Sequence, residues 1–187
     1  MWYSCDVEII LVRHAESVYP VAGGPDEYHR PLTPIGHAQA AHLVSELAAF
    51  EPDRIVASPY LRAVQTVEPL AHSLGLAVDT DPSLREWDSG LEPTPDYARH
   101  YAASWADPSF ARPGGESLHQ LTERAVSVLH TFAGTVVIGS HGTFVARALA
   151  GFGIPVDWPF SNAMPMPAIY RITDTGITGP GLSPSRR

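Results

Sequence analysis

Ile9-Ile10-Leu11-Val12 is continuously apolar, with no polar residue alternating through it, and Arg13-His14 follows at once. A strand of this kind is buried on both faces, which requires helices above and below a largely parallel sheet. A second run of strand formers, Val136 to Gly139, leads into Ser140-His141. Helix-like and strand-like segments alternate along the chain. The fold expected is therefore α/β, a three-layer α/β/α sandwich around a mostly parallel central sheet. In such folds ligands bind beyond the carboxyl ends of the strands. Arg13-His14 and Ser140-His141 both stand at such ends.

The first strand is expected over Cys5–Val12. Thr33-Pro34 reads as a cap followed by proline at the first helical position, opening a helix to about Phe50 with Ala40, Leu43, Leu47 and Phe50 on one stripe. Arg54–Ala57 reads as a strand. Ser58-Pro59 reads as a second cap plus proline, opening a helix through Leu74 that Gly75 stops. Ala77–Asp79 is a third short strand, and Pro82–Pro113, rich in proline and aromatics, is irregular. A helix over Gly115–Thr131, a strand over Thr135–Gly139, a helix over Thr143–Ala150 and a strand over Ala168–Thr173 follow. The expectation is one domain over 1–187, with cap-like segments at about 18–30 and 87–112 and a frayed tail from about 179.

The 187 residues carry a formal charge of -8. This argues against non-specific nucleic-acid binding and against an anionic membrane surface, both of which need a basic face. All 12 basic residues are arginine. Without lysine there is no P-loop lysine and no Schiff-base lysine. Cys5 is the only cysteine, so no intrachain disulfide forms. The N-terminus lacks a basic leader and the apolar run is too short to span a bilayer, so a cytoplasmic location is expected.

Two histidines at strand ends with arginines nearby suit chemistry on a phosphoryl group. Imidazole attacks phosphorus, and guanidinium matches phosphate oxygens in charge and shape. Other readings fit less well. No His-Glu-x-x-His or Cys-x-x-Cys occurs, so no metal site is expected. Ile138-Gly139-Ser140-His141-Gly142 is half of a nucleophile elbow, but Ile138 stands where glycine is needed and no histidine follows His141. Gly23-Gly24 and Gly114-Gly115 lack the strand–glycine–helix setting of a phosphate cradle.

Taken in order, the motifs resemble the histidine phosphatase superfamily, the phosphoglycerate-mutase-like group, from about Val7 to Ile172. Leu11-Val12-Arg13-His14-Ala15-Glu16-Ser17 is similar to its leading Arg-His motif. Arg30-Pro31-Leu32-Thr33-Pro34-Ile35-Gly36 with Gln39-Ala40, and Ser58 through Arg62 to Gln65-Thr66, resemble the next two segments. Leu84-Arg85-Glu86 with Gly90, Pro113-Gly114-Gly115-Glu116-Ser117 and Ser140-His141-Gly142 complete the set.

The resemblance implies a phosphoglycerate-mutase-like fold and a role for each residue. His14 would be the nucleophile. Arg13, Arg62, His141 and Gly142 would hold the phosphate, with His141 also counted as catalytic. Glu86 would protonate the leaving oxygen and then assist water. Acid catalysis requires Glu86 to hold a proton near neutral pH, which burial or a bound phosphate favours. Ser17, Tyr19 and Trp87 are the candidate substrate contacts. No cofactor is expected.

The activity expected is metal-independent hydrolysis of a small phosphorylated metabolite through phospho-His14. A mutase or phosphotransferase, a phosphohistidine-protein phosphatase and a non-catalytic phospho-ligand module share the core residues and stay open. Pro20 stands where the family's mutases carry asparagine, and Leu91-Glu92-Pro93 replaces their Trp-Glu-Gly. Both departures speak against glycolytic mutase activity.

Overall fold

The strand expected to lead into His14 lies inside the sheet rather than at its edge. In the computed structural model, which describes residues 7–21 and 23–182, this strand is β1 (Glu8–Arg13). Its partners are β4 (Thr135–Ser140), parallel, and β5 (Ala168–Thr173), antiparallel. Beyond β4 lie β2 (Arg54–Ala57) and β3 (Val78–Thr80), both parallel. Beyond β5 lies β6 (Gly176–Thr178), antiparallel. The six-stranded order is β3-β2-β4-β1-β5-β6. The sheet is thus parallel through its core with an antiparallel edge, as expected. Cys5 and Asp6 lie outside the described residues.

The alternation of side chains along each strand sorts the core into two layers. Ile9, Leu11, Val136 and Ile138 face one cluster. Helices α4 (Leu118–Leu129) and α5 (Gly142–Gly151) contribute Leu118, Leu121, Phe144 and Val145 to it. Ile10, Val12, Ile55 and Val137 face the other cluster, with Leu47 of α1 (Pro34–Ala48) and Val67 and Leu70 of α2 (Leu61–Leu74). Helices on both faces are what a continuously apolar β1 requires. No helix among the described residues is long and apolar enough to cross a membrane.

The caps decide where helices begin. Thr33 caps α1, its hydroxyl accepting the Gly36 N–H at 3.0 Å, with Pro34 at the first turn as expected. Gly75 closes α2 at φ 68°, a left-handed conformation that costs glycine nothing. The other expected cap does not form. Helix α2 starts at Leu61, and its N-cap Tyr60 makes no side-chain cap bond. The Ser58 hydroxyl lies short of the helix and meets His141 instead.

The structure departs from expectation in several places. The Pro82–Pro113 stretch holds a 3₁₀ turn at Pro82–Leu84 and a helix α3 (Tyr97–Ala106). A short helix α6 (Trp158–Ala163) precedes β5, capped by Asp157. The expected fraying from 179 does not extend to residues 179–182. There Leu182 packs on the core and the Tyr170 hydroxyl donates to the Pro180 carbonyl at 3.1 Å. The last five residues, 183–187, lie outside the described residues.

Candidate active site

Parallel pairing of β1 with β4 puts Arg13 opposite Ser140, and the His14 N–H donates to the Ser140 carbonyl at 2.9 Å. The two histidines that follow these strands are therefore neighbours. Their ring centroids are 5.3 Å apart and the rings meet edge to face. Arg62 joins from the first turn of α2, and Glu86 from the loop after β3. The structure thus brings together Arg13, His14, Arg62, Glu86, His141 and Gly142, which are dispersed over the chain.

His14 is buried, and its Nδ1 lies 2.7 Å from the Ala15 carbonyl oxygen. A carbonyl only accepts, so Nδ1 carries the proton and Nε2 keeps its lone pair. Arg62 Nε donates to that Nε2 at 3.3 Å, which fits the same tautomer. Burial pulls the His14 pKa well below its ordinary value. The positive charges of Arg62, Arg13 and Arg30 pull the same way, and the Ala15 hydrogen bond opposes them. The imidazole is neutral at physiological pH, as a nucleophile at Nε2 must be.

His141 is fully buried, with Nε2 2.8 Å from the Ser58 hydroxyl. Burial, then Arg62, His14, Arg30 and Arg124, hold its pKa well below the ordinary value. His141 therefore offers a neutral N–H rather than a charge. Ser58 already accepts the Tyr60 N–H at 3.3 Å. If its hydroxyl donates to Nε2, the ring proton sits on Nδ1. That Nδ1 is buried and, among the described residues, has no hydrogen-bond partner. Arg13 Nε is likewise buried and unpartnered. Two orphaned polar atoms on neighbouring residues are costly unless a ligand satisfies them.

Arg13 is aimed by backbone. Its Nη1 donates to the Met164 carbonyl and, at 3.4 Å, to that of Pro165. Gly142 makes room for it, because a Cβ there would stand 3.1 Å from Arg13 Nε. Glu86 is tied to the amino end of α5: one oxygen accepts the Trp87 and Phe144 N–H groups at 2.8 and 3.0 Å, the other that of Thr143 at 3.2 Å.

Residues not singled out from sequence complete the site. Arg30 was visible only as part of its Pro-Leu-Thr segment, and Glu27 carried no signal. Arg30 is buried and donates to the Glu27 carboxylate through Nε and Nη2, both at 2.9 Å. Arg62 Nη2 donates to that carboxylate at 2.9 Å and Nη1 to the Glu27 carbonyl at 2.8 Å. Burial pushes the Glu27 carboxyl up, but the Arg30 hydrogen bonds and the Arg62 charge more than offset it, so it lies below the usual carboxylate range.

The expected substrate contacts divide. Ser17 is buried and accepts from Arg30 Nη1 at 3.3 Å, bracing an arginine. Tyr19 is 77% exposed and lies on the outer loop. Trp87 is core: its indole N–H donates to the Glu116 carbonyl at 2.8 Å and its ring packs on Tyr101. With its one donor used and its faces covered, it offers a substrate no free stacking surface.

Comparison with known proteins places the chain in a family. The family model described as Histidine phosphatase superfamily (branch 1) matches residues 9–175. A glucosyl-3-phosphoglycerate phosphatase of Mycolicibacterium vanbaalenii is 29% identical over 178 residues, covering 83% of this chain and 79% of that one. A probable phosphoglycerate mutase, GpmB, of Proteus mirabilis is 30% identical over 137 residues, covering 67% of this chain and 62% of that relative's length. The solved structure of a mycobacterial glucosyl-3-phosphoglycerate phosphatase superposes with a TM-score of 0.71 at 23% identity, over 88% of each chain, which is a likeness of fold. With the family model spanning β1 to the end of β5, the chain belongs to the histidine phosphatase superfamily, branch 1.

Proposed function

We propose that the protein is a metal-independent phosphomonoesterase of small phosphorylated metabolites, working through a covalent phosphohistidine on His14. The observation that carries this reading is the His14 imidazole. It is buried and neutral, with its proton fixed on Nδ1 by Ala15 and its Nε2 lone pair directed at Arg62.

In the first step Nε2 attacks phosphorus, the P–N bond forms and the bond to the leaving oxygen breaks. Glu86 gives its proton to that oxygen. In the second step water attacks the phosphohistidine, Glu86 takes the water proton, and the P–N bond breaks to restore neutral His14. The transferring group has a loose transition state, so positive charge and position carry most of the catalysis. Arg13, Arg62 and the His141 N–H supply donors, with Arg13 Nε and His141 Nδ1 awaiting acceptors. The Arg62–Nε2 hydrogen bond has to give way as phosphorus arrives. That exchange is easy at 3.3 Å, the long end of the range.

The test is turnover of a generic aryl phosphate in excess chelator by wild type and His14→Ala. Turnover that resists the chelator and falls by more than about 10³-fold in the mutant is expected. Retained activity in a folded mutant overturns the reading. Glucosyl-3-phosphoglycerate is the first natural candidate, taken from the M. vanbaalenii relative. Phosphate transfer to a second metabolite in preference to water would instead favour the mutase reading, which the GpmB relative represents.

A further inference from the structure

The Glu27 carboxylate sits where an anion belongs. One of its oxygens, Oε2, accepts from two guanidiniums at once, Arg30 Nη2 and Arg62 Nη2, both at 2.9 Å. Its other oxygen takes Arg30 Nε at 2.9 Å. A single acceptor bridging two arginines is how a phosphate oxygen is held, and guanidinium forks fit carboxylate and phosphate alike. Among the described residues Glu27 is the sole acidic partner of both arginines. Arg62 contacts it while also donating to His14 Nε2, so this anion lies one guanidinium away from the nucleophile.

The backbone and the side chain of Glu27 are held differently. The backbone is pinned to the start of α2: Arg62 Nη1 donates to the Glu27 carbonyl, and the Leu61 N–H donates to the Tyr28 carbonyl at 2.9 Å. The side chain is 48% exposed, so a rotation about its own bonds carries the carboxylate into solvent without moving the turn. Both arginines, in contrast, are nearly sealed, their side chains 10% and 1% exposed. The parts that bind are buried, and the part that occupies them is half-exposed.

We propose that Glu27 is an internal competitor for the phosphate seat: it holds Arg30 and Arg62 in the empty site, and the incoming phosphoryl group displaces it and takes both guanidiniums. Arg30 becomes a phosphate-binding residue by this exchange. Glu27 also becomes a specificity residue. A phosphate dianion brings more charge and more acceptor oxygens than the carboxylate it replaces, whereas a carboxylate metabolite brings no more than Glu27 already supplies. The identity of the anion rests on the phosphatase reading; the competition does not.

The test is calorimetric titration of wild type and Glu27→Gln with inorganic phosphate, which needs no turnover. Removing the charge while keeping the shape is expected to tighten phosphate binding about tenfold, the scale of a charge-assisted hydrogen bond lost by the competitor. A Glu27 that only braces the arginines predicts the reverse, so unchanged or weaker binding in Glu27→Gln overturns the proposal. Should that variant not fold, Glu27→Asp draws the carboxylate back by one carbon and is expected to tighten binding in the same direction, by about threefold. Binding undetectable in wild type and variant also overturns it. In that case turnover of aryl phosphate by the wild type leaves the phosphatase reading standing, and its absence removes both.

Discussion

Among the described residues His14 and His141 are buried without a carboxylate partner, in a field of arginines. The folded-state pKa of each is depressed, whereas the unfolded chain titrates near the ordinary value of about 6.5. Below that value the unfolded state binds more protons, so stability is fully present above it and is lost as pH falls through it. The expected slope is up to about 1.4 kcal/mol per pH unit for each histidine. Urea unfolding at pH 7.5, 6.0 and 5.0 measures it, and His141→Asn should flatten the fall. An equal slope in that variant would place the effect elsewhere. Glu27, depressed like most paired carboxylates, acts in a separate and more acid window. At this scale the sequence was legible for residues at strand ends and silent for their supports. Arg13, His14 and His141 follow apolar runs that advertise themselves. Glu27 and Ser58 act through contacts over 35 and 83 positions, respectively to Arg62 and His141, and no local pattern encodes such pairs.

At the scale of elements, capping was readable at Thr33, whose hydroxyl caps α1 and also donates to Glu16 at 2.7 Å, but not at Ser117, which fell inside a helix expected to open at Gly115. Ser117 caps α4 through a reciprocal box with Gln120, at 3.1 Å and 2.7 Å. Ser117→Ala should cost about 1 kcal/mol of stability, read as a lower urea midpoint with unchanged slope. Helix α4 also carries Arg124, which binds Glu116 and the Ser83 and Arg85 carbonyls and so steadies the loop bearing Glu86. Ser58 had the same sequence signature as a cap, but its hydroxyl is spent on a histidine from another strand. Helices α3 and α6 were missed for a different reason. Helix α3 has no side-chain cap bond, and its flanks are crowded with proline. Helix α6 is only six residues long, too short for an apolar period to show. Hairpin strand β6 has three residues and follows the same rule.

At the scale of the molecule, β1 is the hub on which both layers converge. Leu11 is fully buried between β4 and β5. Leu11→Ala should cost about 2–5 kcal/mol, seen in chemical denaturation, because a rigid sheet closes poorly around the cavity. Preserved stability would mean that the two layers repack more freely than their burial implies. The fold class was readable from β1 alone, but the strand order was not, since it depends on which distant runs pair. That order also has a history in time. Among the described residues, 8–13 form ladder pairs only with 135–140 and 168–172. On a ribosome adding about 5–20 residues per second, β1 waits roughly 6–24 s for its first neighbour. During that interval Ile9-Ile10-Leu11-Val12 is a bare apolar segment attached to Arg13-His14. The cluster of His14 with His141 is therefore among the last parts of the molecule to exist. A stalled or truncated nascent chain presents to the cell's chaperones a sticky leader instead of a partly working enzyme.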